Sequence, residues 1–247
     1  MPVEKPILEI IYEDDFYICI NKPAGVLVHK TNLANEETEL LAIQILRDQI
    51  GQKVYPLHRI DRPTSGALLF SKSSDAASRL QPLFPTEDVK KYYLCIVRGY
   101  MTEKHGVIDQ PLKKKLYGEL QDARTSYWSI SEAEIPYPSS PKYPTSRYSL
   151  LRVYPHTGRM HQIRRHLAHD RHYVIGDSTH GDNKQNNFFR SHFEMNNLLL
   201  HAWQLQFIHP YSQTLVKIEA GLPEHFNKMI AALGLKLEIP RPFSGLP

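Results

Sequence analysis

Residues 91–100 of the sequence alternate between two faces with a period of two. Tyr93, Cys95 and Val97 share one face of an extended chain, and the residues between them share the other. Because successive side chains of a strand point to opposite faces, this pattern predicts a β-strand. The chain must therefore form a sheet around this strand.

Short strands and short helices follow one another along the rest of the chain without a regular strand–helix–strand rhythm. The predicted strands lie within residues 7–20, 67–70, 148–154 and 198–207, and the predicted helices within residues 37–50, 75–84, 158–170 and 223–233. Such a mixture favours an α+β fold over a doubly wound parallel sheet. Four prolines in residues 135–148 indicate a loop, so we expect residues 102–147 to form an arm or insertion of a single domain spanning residues 1–247.

Composition and length fit a globular protein. Apolar residues make up 41% of the 247 residues and charged residues 23%, which is ordinary usage. No apolar run approaches the ~18 residues that a membrane-spanning helix needs. Cys19 and Cys95 form no CxxC pair, which argues against a disulfide framework or a structural zinc site. Our working expectation is a soluble, cytoplasmic monomer with no membrane partner.

Positive charge is concentrated in residues 145–172. The net charge of the whole chain is only +4, yet this window contains six arginines, five histidines and a single acidic residue, Asp170. A basic patch in an otherwise neutral chain is typical of proteins that bind a polyanion. An ordinary solvated basic face is the alternative interpretation.

Sequence motifs for nucleotide, zinc-protease and serine-hydrolase sites are missing. The chain contains no G-x-G-x-x-G, G-x-x-x-x-G-K-[ST], H-E-x-x-H or G-x-S-x-G. A helix could bring together two of the histidines His166, His169 and His172, but Asp170 faces a different side and no thiolate is near. We therefore expect no metal site, and expect these histidines to lie on the polar surface or to contact phosphate.

The segment HRIDRPTSG (residues 58–66) places a carboxylate between two arginines at the start of a turn. Asp61 lies between Arg59 and Arg62, and the following Pro-Thr-Ser-Gly is typical of a turn. Asp61 is therefore either a turn-forming residue or a reactive group presented on a shaped loop.

The segment GRMHQIRRHLAHD predicts a helix over residues 158–170. Its apolar stripe would consist of Met160, Ile163 and Leu167. Arg164 lies at the edge of this stripe, whereas Arg165 points into solvent. A half-buried guanidinium needs an acceptor, because an unpaired buried charge is costly. Asp61 is one candidate acceptor, and a backbone carbonyl or another acidic side chain is the alternative.

Six segments resemble, in the same order, motifs of the RluA-type pseudouridine synthase family. They are NKPAGVLVH (21–29), HRIDRPTSG (58–66), KYYLCIVRG (91–99), TGRMHQIRRH (157–166), IGDSTHGD (175–182) and LHAWQLQFIHP (200–210). The second is similar to the family's H-R-[LI]-D-x-x-T-S-G loop. In the third, Cys95 stands where the family usually has alanine.

This resemblance implies an enzyme that isomerises a uridine of RNA to pseudouridine, without a cofactor or a metal. The bond from N1 to the ribose breaks, and the ring is rejoined through C5. Asp61 matches the essential aspartate, Tyr93 the tyrosine that contacts the target uracil, and Arg164 the arginine that pairs with the aspartate. The remaining candidates, for substrate binding, are His58, Arg59, Arg62, Thr64, Gly66, Arg159, His161 and Gln162.

The resemblance also implies a pseudouridine synthase fold, with a mixed, mostly antiparallel central sheet, flanking helices and a catalytic cleft. Within the family, the segments are most similar to a branch that modifies tRNA, which implies uridine 65 of tRNA as the target. A ribosomal RNA target and a non-catalytic RNA-binding chaperone are the alternatives. Whether Asp61 acts as a nucleophile or as a base stays open. No separate RNA-binding domain of the S4 type is expected before Asn21.

Overall fold

A computed structural model describes residues 6–29, 41–114, 118–139 and 141–238 of the chain. The strands within these ranges are β1 (Glu9–Glu13), β2 (Tyr17–Lys22), β3 (Tyr55–Pro56), β4 (Ser65–Ser71), β5 (Lys90–Arg98), β6 (His105–Asp109), β7 (Leu112–Lys113), β8 (Leu120–Gln121), β9 (Arg124–Ile135), β10 (Ser146–Pro155), β11 (Leu200–Ile208) and β12 (Leu215–Glu219). The α-helices there are α1 (Ala42–Ile50), α2 (Ser74–Leu80), α3 (Gln162–His169), α4 (Asn183–Phe193) and α5 (Glu224–Leu233). A short 3₁₀ turn, Gln81–Leu83, follows α2. No helix of the described ranges is long and apolar enough to cross a membrane.

Ten of these strands form one sheet in the order β1-β2-β4-β11-β5-β10-β9-β6, with β3 added to β4 and β12 to β11. The strand pairs are antiparallel except for β4 and β11, which run parallel. The remaining strands, β7 and β8, form a small separate hairpin sheet. The predicted α+β class, with a mixed and mostly antiparallel central sheet, is confirmed.

Strand β5 is covered on both faces, as its alternating sequence predicts. On one face, Cys95 and Val97 pack in a cluster that includes Ile163 of α3. On the other, Leu94 and Ile96 pack in a cluster that includes residues of α4 and α5. Tyr93 lies on the face of α3, so the alternation of β5 directs its phenol to the side on which the candidate site is built.

Residues 102–147, expected as an arm or insertion, lie largely in the edge of the sheet. Strand β9 pairs with β10 on one side and with β6 on the other. The expectation of a segment outside the core has to be corrected for these strands, because Thr125, Tyr127 and Ile135 of β9 are buried. The sequence RTSYWSISEAEI has no period-two apolar face, and pairing with β10 is what makes it a strand. The assignment of residues 1–247 to one domain stays a prediction.

Helix α3 begins at Gln162 and not at Gly158, so the predicted start of this helix was wrong. His161 has φ 53°, a left-handed conformation that an α-helix does not contain. Met160 is therefore 49% exposed and does not join the apolar stripe, whereas Ile163 and Leu167 are buried as predicted. Arg165 reaches the surface, and its Nη1 donates to the carbonyl of Lys113.

Helix α1 ends as its sequence predicts. Gly51 follows it with φ 67°, a left-handed conformation that glycine adopts without strain, and its amide bonds back to the carbonyl of Arg47. Residues 37–40 of this predicted helix lie outside the described ranges.

Candidate active site

Asp61 lies on the loop between β3 and β4, and hydrogen bonds hold this loop in a defined shape. The amide of Thr64 donates to the carbonyl of Asp61 over 3.0 Å, which closes a turn. The amide of Gly25 donates to the carbonyl of Arg62 over 2.9 Å, and Nε of Arg62 donates to the carbonyl of Gly25 over 3.0 Å. The turn chemistry of the sequence therefore forms a loop that presents the carboxylate, and Arg62 anchors this loop.

Lys22 supports the same loop from within the protein. Its side chain is fully buried, and Nζ donates to the carbonyls of Pro23, Val26 and Arg62. Burial lowers the pKa of Lys22 to about 7, against the opposing effect of the Asp61 charge. Lys22 was not among the predicted site residues, although it stands in the NKPAGVLVH segment that carries part of the resemblance.

Two predicted binding residues, His58 and Gly66, face the protein and not the site. Nε2 of His58 accepts a hydrogen bond from the amide of Leu69 over 3.0 Å, and its ring stacks on Phe84. Gly66 has φ +112°, and a Cβ at this position would lie 2.2 Å from the carbonyl oxygen of Ala202. Both residues therefore support the loop, because they fix β4 against its neighbours.

Arg164 joins the Asp61 loop to helix α3. Its Nη1 donates to Oδ2 of Asp61 over 2.9 Å. The Arg164 side chain is only 3% exposed, whereas that of Asp61 is 26% exposed. The structure thus contains the Asp61–Arg164 pair, which helix periodicity allowed and the resemblance implied. One face of the Asp61 carboxylate stays open to a ligand.

A second carboxylate, Asp177, accepts hydrogen bonds from the other two nitrogens of the Arg164 guanidinium. Nε and Nη2 of Arg164 donate to Oδ2 and Oδ1 of Asp177, each over 2.7 Å. Burial would lower the pKa of Arg164, but Asp177 and Asp61 outweigh this effect and raise the pKa. A bidentate pair is the strong form of such an interaction and fixes the plane of the guanidinium.

Asp177 is itself held by backbone amides. The amides of Thr179 and His180 donate to its Oδ1 over 2.9 and 3.0 Å. Burial would raise the pKa of Asp177, but Arg164 and these amides lower it, so the carboxylate is charged. Sequence reasoning did not assign Asp177 a role; the one signal for it was the IGDSTHGD segment.

A cavity of about 400 Å³ opens at Asp61. Of the predicted site residues, it brings together Arg59, Asp61, Thr64, Tyr93, Arg159, His161, Gln162 and Arg164. Apolar side chains, including Ile60 and Leu200, also line its wall. This volume lies within the range of small-ligand pockets, which typically measure about 300–1,000 Å³.

Tyr93 and Thr64 offer the cavity two different hydroxyl groups. Burial raises the pKa of Tyr93, and the charge of Asp61 raises it further, so the phenol is neutral near pH 7. The hydroxyl Oγ1 of Thr64 is buried and has no hydrogen-bond partner in the described part of the chain. Because an unpartnered buried hydroxyl is costly, it is well suited to bind a polar group of a ligand.

His161 enters the site through its unusual backbone. Its Nδ1 lies 2.8 Å from Nε2 of His180, and its Nε2 lies 4.0 Å from Oδ1 of Asp61. Burial lowers the pKa of His161, although Asp61 opposes this effect. A positive φ is strained at a non-glycine residue, and such strained residues are often found at functional sites.

Gln162 and Arg159 form part of the wall of this cavity. Oε1 of Gln162 accepts hydrogen bonds from the hydroxyl of Thr157 and the amide of Arg159, and its Nε2 donates to Thr125 and to the carbonyl of Arg124. Nε of Arg159 donates to the carbonyl of Asp122. Gln162 thus ties residues 157–161 to β9.

The three histidines considered for metal binding do not form a cluster. Among the residues that the structure describes, no group of three or more His, Cys, Asp or Glu side chains could hold a metal ion. His166 is buried and contacts the Thr125 hydroxyl and the Gln110 carbonyl at 2.9 Å each, so the expectation that it lies on the surface was wrong. His169 is exposed, as expected.

Comparison with known proteins identifies close relatives of this chain. Residues 16–169 match the family described as RNA pseudouridylate synthase. The chain is 49% identical over 233 residues to tRNA pseudouridine synthase C of Vibrio vulnificus (strain CMCP6), which covers 90% of this chain and 94% of the relative. It is 44% identical to the protein of the same name from Haemophilus influenzae (strain ATCC 51907 / DSM 11121 / KW20 / Rd), with 92% and 98% covered.

Solved structures share the fold. Human RNA Pseudouridylate Synthase Domain Containing 4 superposes with a TM-score of 0.72 at 22% identity, over 93% of this chain and 94% of that chain. Human RNA Pseudouridylate Synthase Domain Containing 1 gives a TM-score of 0.68 at 20% identity, over 95% and 97%. At these identities the likeness concerns the architecture of the sheet and its helices.

Proposed function

The chain belongs to the RNA pseudouridylate synthase family, and on that premise we propose that it isomerises uridine 65 of tRNA to pseudouridine, with Asp61 as the essential residue. The observation that carries the proposal is the Asp61–Arg164 ion pair at the cavity that Tyr93 and Thr64 also line. Family membership makes the chain an isomerase; the target nucleotide and the role of Asp61 are the proposed parts.

The reaction needs a carboxylate oxygen at the ribose of the target nucleotide. The bond between N1 and C1′ breaks, the uracil turns and a bond forms between C5 and C1′. C5 then loses its proton and N1 gains one, so that the nucleotide keeps its composition. Asp61 either attacks the ribose as a nucleophile or removes a proton from the sugar as a base. Both roles require an oriented carboxylate, and Arg164 supplies that orientation by holding one oxygen of Asp61 while the side chain stays partly open.

Tyr93 and Thr64 suit the uracil in this scheme. The neutral phenol of Tyr93 presents an aromatic face and a hydroxyl on the wall of the cavity, and aromatic side chains commonly stack on extruded bases. The unpartnered hydroxyl of Thr64 can donate to a uracil carbonyl or accept from an imide proton. These contacts would hold the base while it changes its attachment.

The arginine-rich segment, residues 145–172, offers less positive charge for RNA binding than its sequence predicts. Arg152 and Arg164 are buried, with Arg152 over the ring of Tyr92 at 4.0 Å and Arg164 between two carboxylates. The arginines of this window that reach the surface are Arg147, Arg159, Arg165 and Arg171. Together with the exposed Arg59 and Arg62 of the loop they can contact RNA phosphates, which helps to offset the few kcal/mol that extrusion of a base costs.

The names of the relatives favour tRNA as the substrate. Proteins of Vibrio, Pasteurella, Haemophilus and Salmonella that are 41–49% identical to this chain over at least 90% of it are each named tRNA pseudouridine synthase C. The intact set of Asp61, Tyr93 and Arg164 argues against a chaperone that has kept only the scaffold, since such a protein would need none of the three.

Release of tritium from C5 of uracil tests the proposal. The protein is incubated with unmodified tRNA and ribosomal RNA transcripts that carry tritium at uracil C5, and the modified position is then mapped. We expect release from tRNA alone, from a single uridine at position 65. Release only from ribosomal RNA, or from another uridine of tRNA, would contradict the substrate, and no release from any RNA would contradict the activity.

A further inference from the structure

His161 and Asp61 are separated by a gap that is too wide for a direct hydrogen bond. Nε2 of His161 lies 4.0 Å from Oδ1 of Asp61, whereas Oδ2 of Asp61 accepts a hydrogen bond from Arg164 over 2.9 Å. Oδ1 is thus the carboxylate oxygen that Arg164 does not hold. His161 and Asp61 both line the cavity of about 400 Å³, so a ligand in this cavity can reach the gap between them.

His180 determines which nitrogen of His161 carries a proton. Nδ1 of His161 lies 2.8 Å from Nε2 of His180, so one ring must donate to the other. Burial lowers the pKa of both histidines, so near pH 7 both rings are neutral and each carries one proton. Donation from Nδ1 of His161 would leave a lone pair on its Nε2 facing the negative charge of Asp61. Donation from His180 is therefore favoured, and it places the proton of His161 on Nε2, beside the gap.

The backbone on both sides of His161 is held by hydrogen bonds. The amide of Arg165 donates to the carbonyl of His161 over 2.9 Å, and the amide of Gln162 donates to the carbonyl of Arg159 over 3.1 Å. His161 itself has φ 53°. Such a strained conformation persists only where the surrounding structure holds it. The separation of His161 and Asp61 is therefore a property of the fold of this segment.

A single hydroxyl group fits this gap. An oxygen that accepts from an imidazole N–H at about 2.9 Å and donates to a carboxylate at about 2.7 Å joins two such atoms with an angle of about 90° at the bridging oxygen. A hydroxyl can accept and donate at the same time, whereas a uracil carbonyl can only accept. A phosphate oxygen would meet the negative charge of Asp61. The gap is thus suited to a neutral hydroxyl.

We propose that the 2′-hydroxyl of the target uridine occupies this gap, where it accepts a hydrogen bond from Nε2 of His161 and donates one to Oδ1 of Asp61; this inference rests on the proposed function. The 3′ and 5′ oxygens of a nucleotide within an RNA chain belong to phosphodiesters, so the 2′-hydroxyl is its one free hydroxyl. This hydroxyl is bonded to C2′, the neighbour of C1′, so its binding brings Oδ1 to the part of the sugar on which Asp61 acts. His161 then selects ribose over deoxyribose at the target.

A 2′-deoxy target nucleotide tests the proposal in combination with His161→Asn. Asparagine tolerates a left-handed backbone, so this variant removes the Nε2 donor and keeps the path of the chain. Two RNAs with tritium at C5 of the target are compared, one with ribose and one with 2′-deoxyribose at the target alone. The ratio of kcat/KM on the two RNAs is measured for each protein, and the intrinsic effect of the hydroxyl on the sugar cancels when the ratios are compared. We expect the ratio to be about 10-fold smaller in His161→Asn, because both changes remove one interaction.

The variants His180→Phe and His180→Gln separate proton placement from packing. Phenylalanine keeps a ring but cannot donate to Nδ1 of His161, whereas the carboxamide of glutamine can. We expect His180→Phe to lower the ratio at least about 3-fold and His180→Gln to keep it within about 2-fold of the unaltered protein. An unchanged ratio in His180→Phe would overturn the role of His180. Should His161→Asn not fold, the ratio in His180→Phe decides the whole proposal.

His169→Asn is the matched control, since His169 is an exposed histidine of α3 that does not line the cavity. It should keep the ratio of the unaltered protein, and thermal unfolding should show which variants are folded. The inference is overturned if folded His161→Asn has the same ratio as the unaltered protein. Absence of tritium release by the unaltered protein from the RNA with ribose at its target would instead overturn the proposed function, and the inference with it.

Discussion

Arg164 and Asp177 are joined by two hydrogen bonds of 2.7 Å, and this leaves Nη1 of Arg164 to bind Asp61. Asp177 is buried and is held by the amides of Thr179 and His180. The plane of the guanidinium is therefore set by a carboxylate that does not line the cavity at Asp61. We infer that Asp177 positions Asp61 through Arg164.

The variant Asp177→Asn tests this relationship. The carboxamide keeps the size of the side chain but removes one acceptor and the negative charge, so Arg164 should shift and Asp61 with it. We expect the single-turnover rate to fall by about 10- to 100-fold, because a misplacement of about 1 Å can cost a factor of this size. Breaking a buried ion pair should also lower the free energy of unfolding by about 3–5 kcal/mol in a urea titration.

Glu134→Gln is the control for that experiment. Glu134 pairs with Arg147 over 3.0 Å at an exposed position on the edge of the sheet. Surface pairs contribute only about 0–1 kcal/mol, so the variant should lose little stability and no catalytic rate. Equal effects of the two variants would contradict a positioning role for Asp177.

The single-turnover rate should not change at alkaline pH through ionisation of Tyr93. Burial and the charge of Asp61 raise the pKa of Tyr93 above its ordinary value of about 10, so the phenol stays neutral through pH 9.5. We expect single-turnover rates of the unaltered protein to be independent of Tyr93 ionisation between pH 7 and 9.5. The measurement compares this protein with Tyr93→Phe, which should be slower at every pH. An alkaline limb that disappears in Tyr93→Phe would show that the phenol ionises in the working range.

The contact of β4 with β11 depends on a glycine. Ala at position 66 would require a left-handed φ and would bring its Cβ to 2.2 Å from the carbonyl of Ala202. We expect Gly66→Ala to lower the free energy of unfolding by at least about 2 kcal/mol, the size of a strained backbone position. Gly221→Ala, where nothing lies within 4 Å of the added Cβ, should change it by less than about 0.5 kcal/mol. A fully stable Gly66→Ala protein would contradict the close approach of these two strands.

Buried neutral histidines should make the fold sensitive to acid. Burial lowers the pKa of His58 to about 3 and that of His201 to about 4. Below about pH 6.5 the unfolded chain binds protons that the folded chain does not, so stability is lost as the pH falls toward these values. We expect the free energy of unfolding to drop by at least about 2 kcal/mol between pH 7 and pH 5.

Two variants separate this effect from general acid sensitivity. His58→Gln should reduce the pH dependence of unfolding, since it removes one of the buried titrating groups. His169→Gln replaces an exposed histidine of α3 and should leave the pH dependence as it is. An unfolding free energy that is constant from pH 7 to pH 5 would mean that the two buried histidines can take up protons in the folded protein.

The sequence predicted those parts of the site that follow from local periodicity. Alternation on β5 directs Tyr93 to the face of α3, and the helical period turns Arg164 inward and Arg165 outward. These features depend only on residues close together in the chain. Local periodicity could not identify Asp61 as the partner of Arg164, because the two residues are 103 positions apart. Only the resemblance to the family indicated this pair.

Other parts depend on tertiary contacts that no local pattern displays. The helical pattern of residues 158–170 includes His161, whose left-handed backbone delays the start of the helix to Gln162 and sets the imidazole beside Asp61. Asp177 becomes important only because α3 brings Arg164 to it. Strand β9 carries serines and glutamates without an apolar face, and pairing with β10 decides its conformation.

Substitution of Asp61 by asparagine tests the central claim most directly. The variant keeps the shape of the loop but removes the carboxylate, so tRNA should bind with unchanged affinity while tritium release in a single turnover falls by at least about 10³-fold, as for other essential catalytic groups. Asp15→Asn, at an exposed position, should retain full activity. Full activity of Asp61→Asn would contradict the assignment of Asp61 as the residue on which the isomerisation depends.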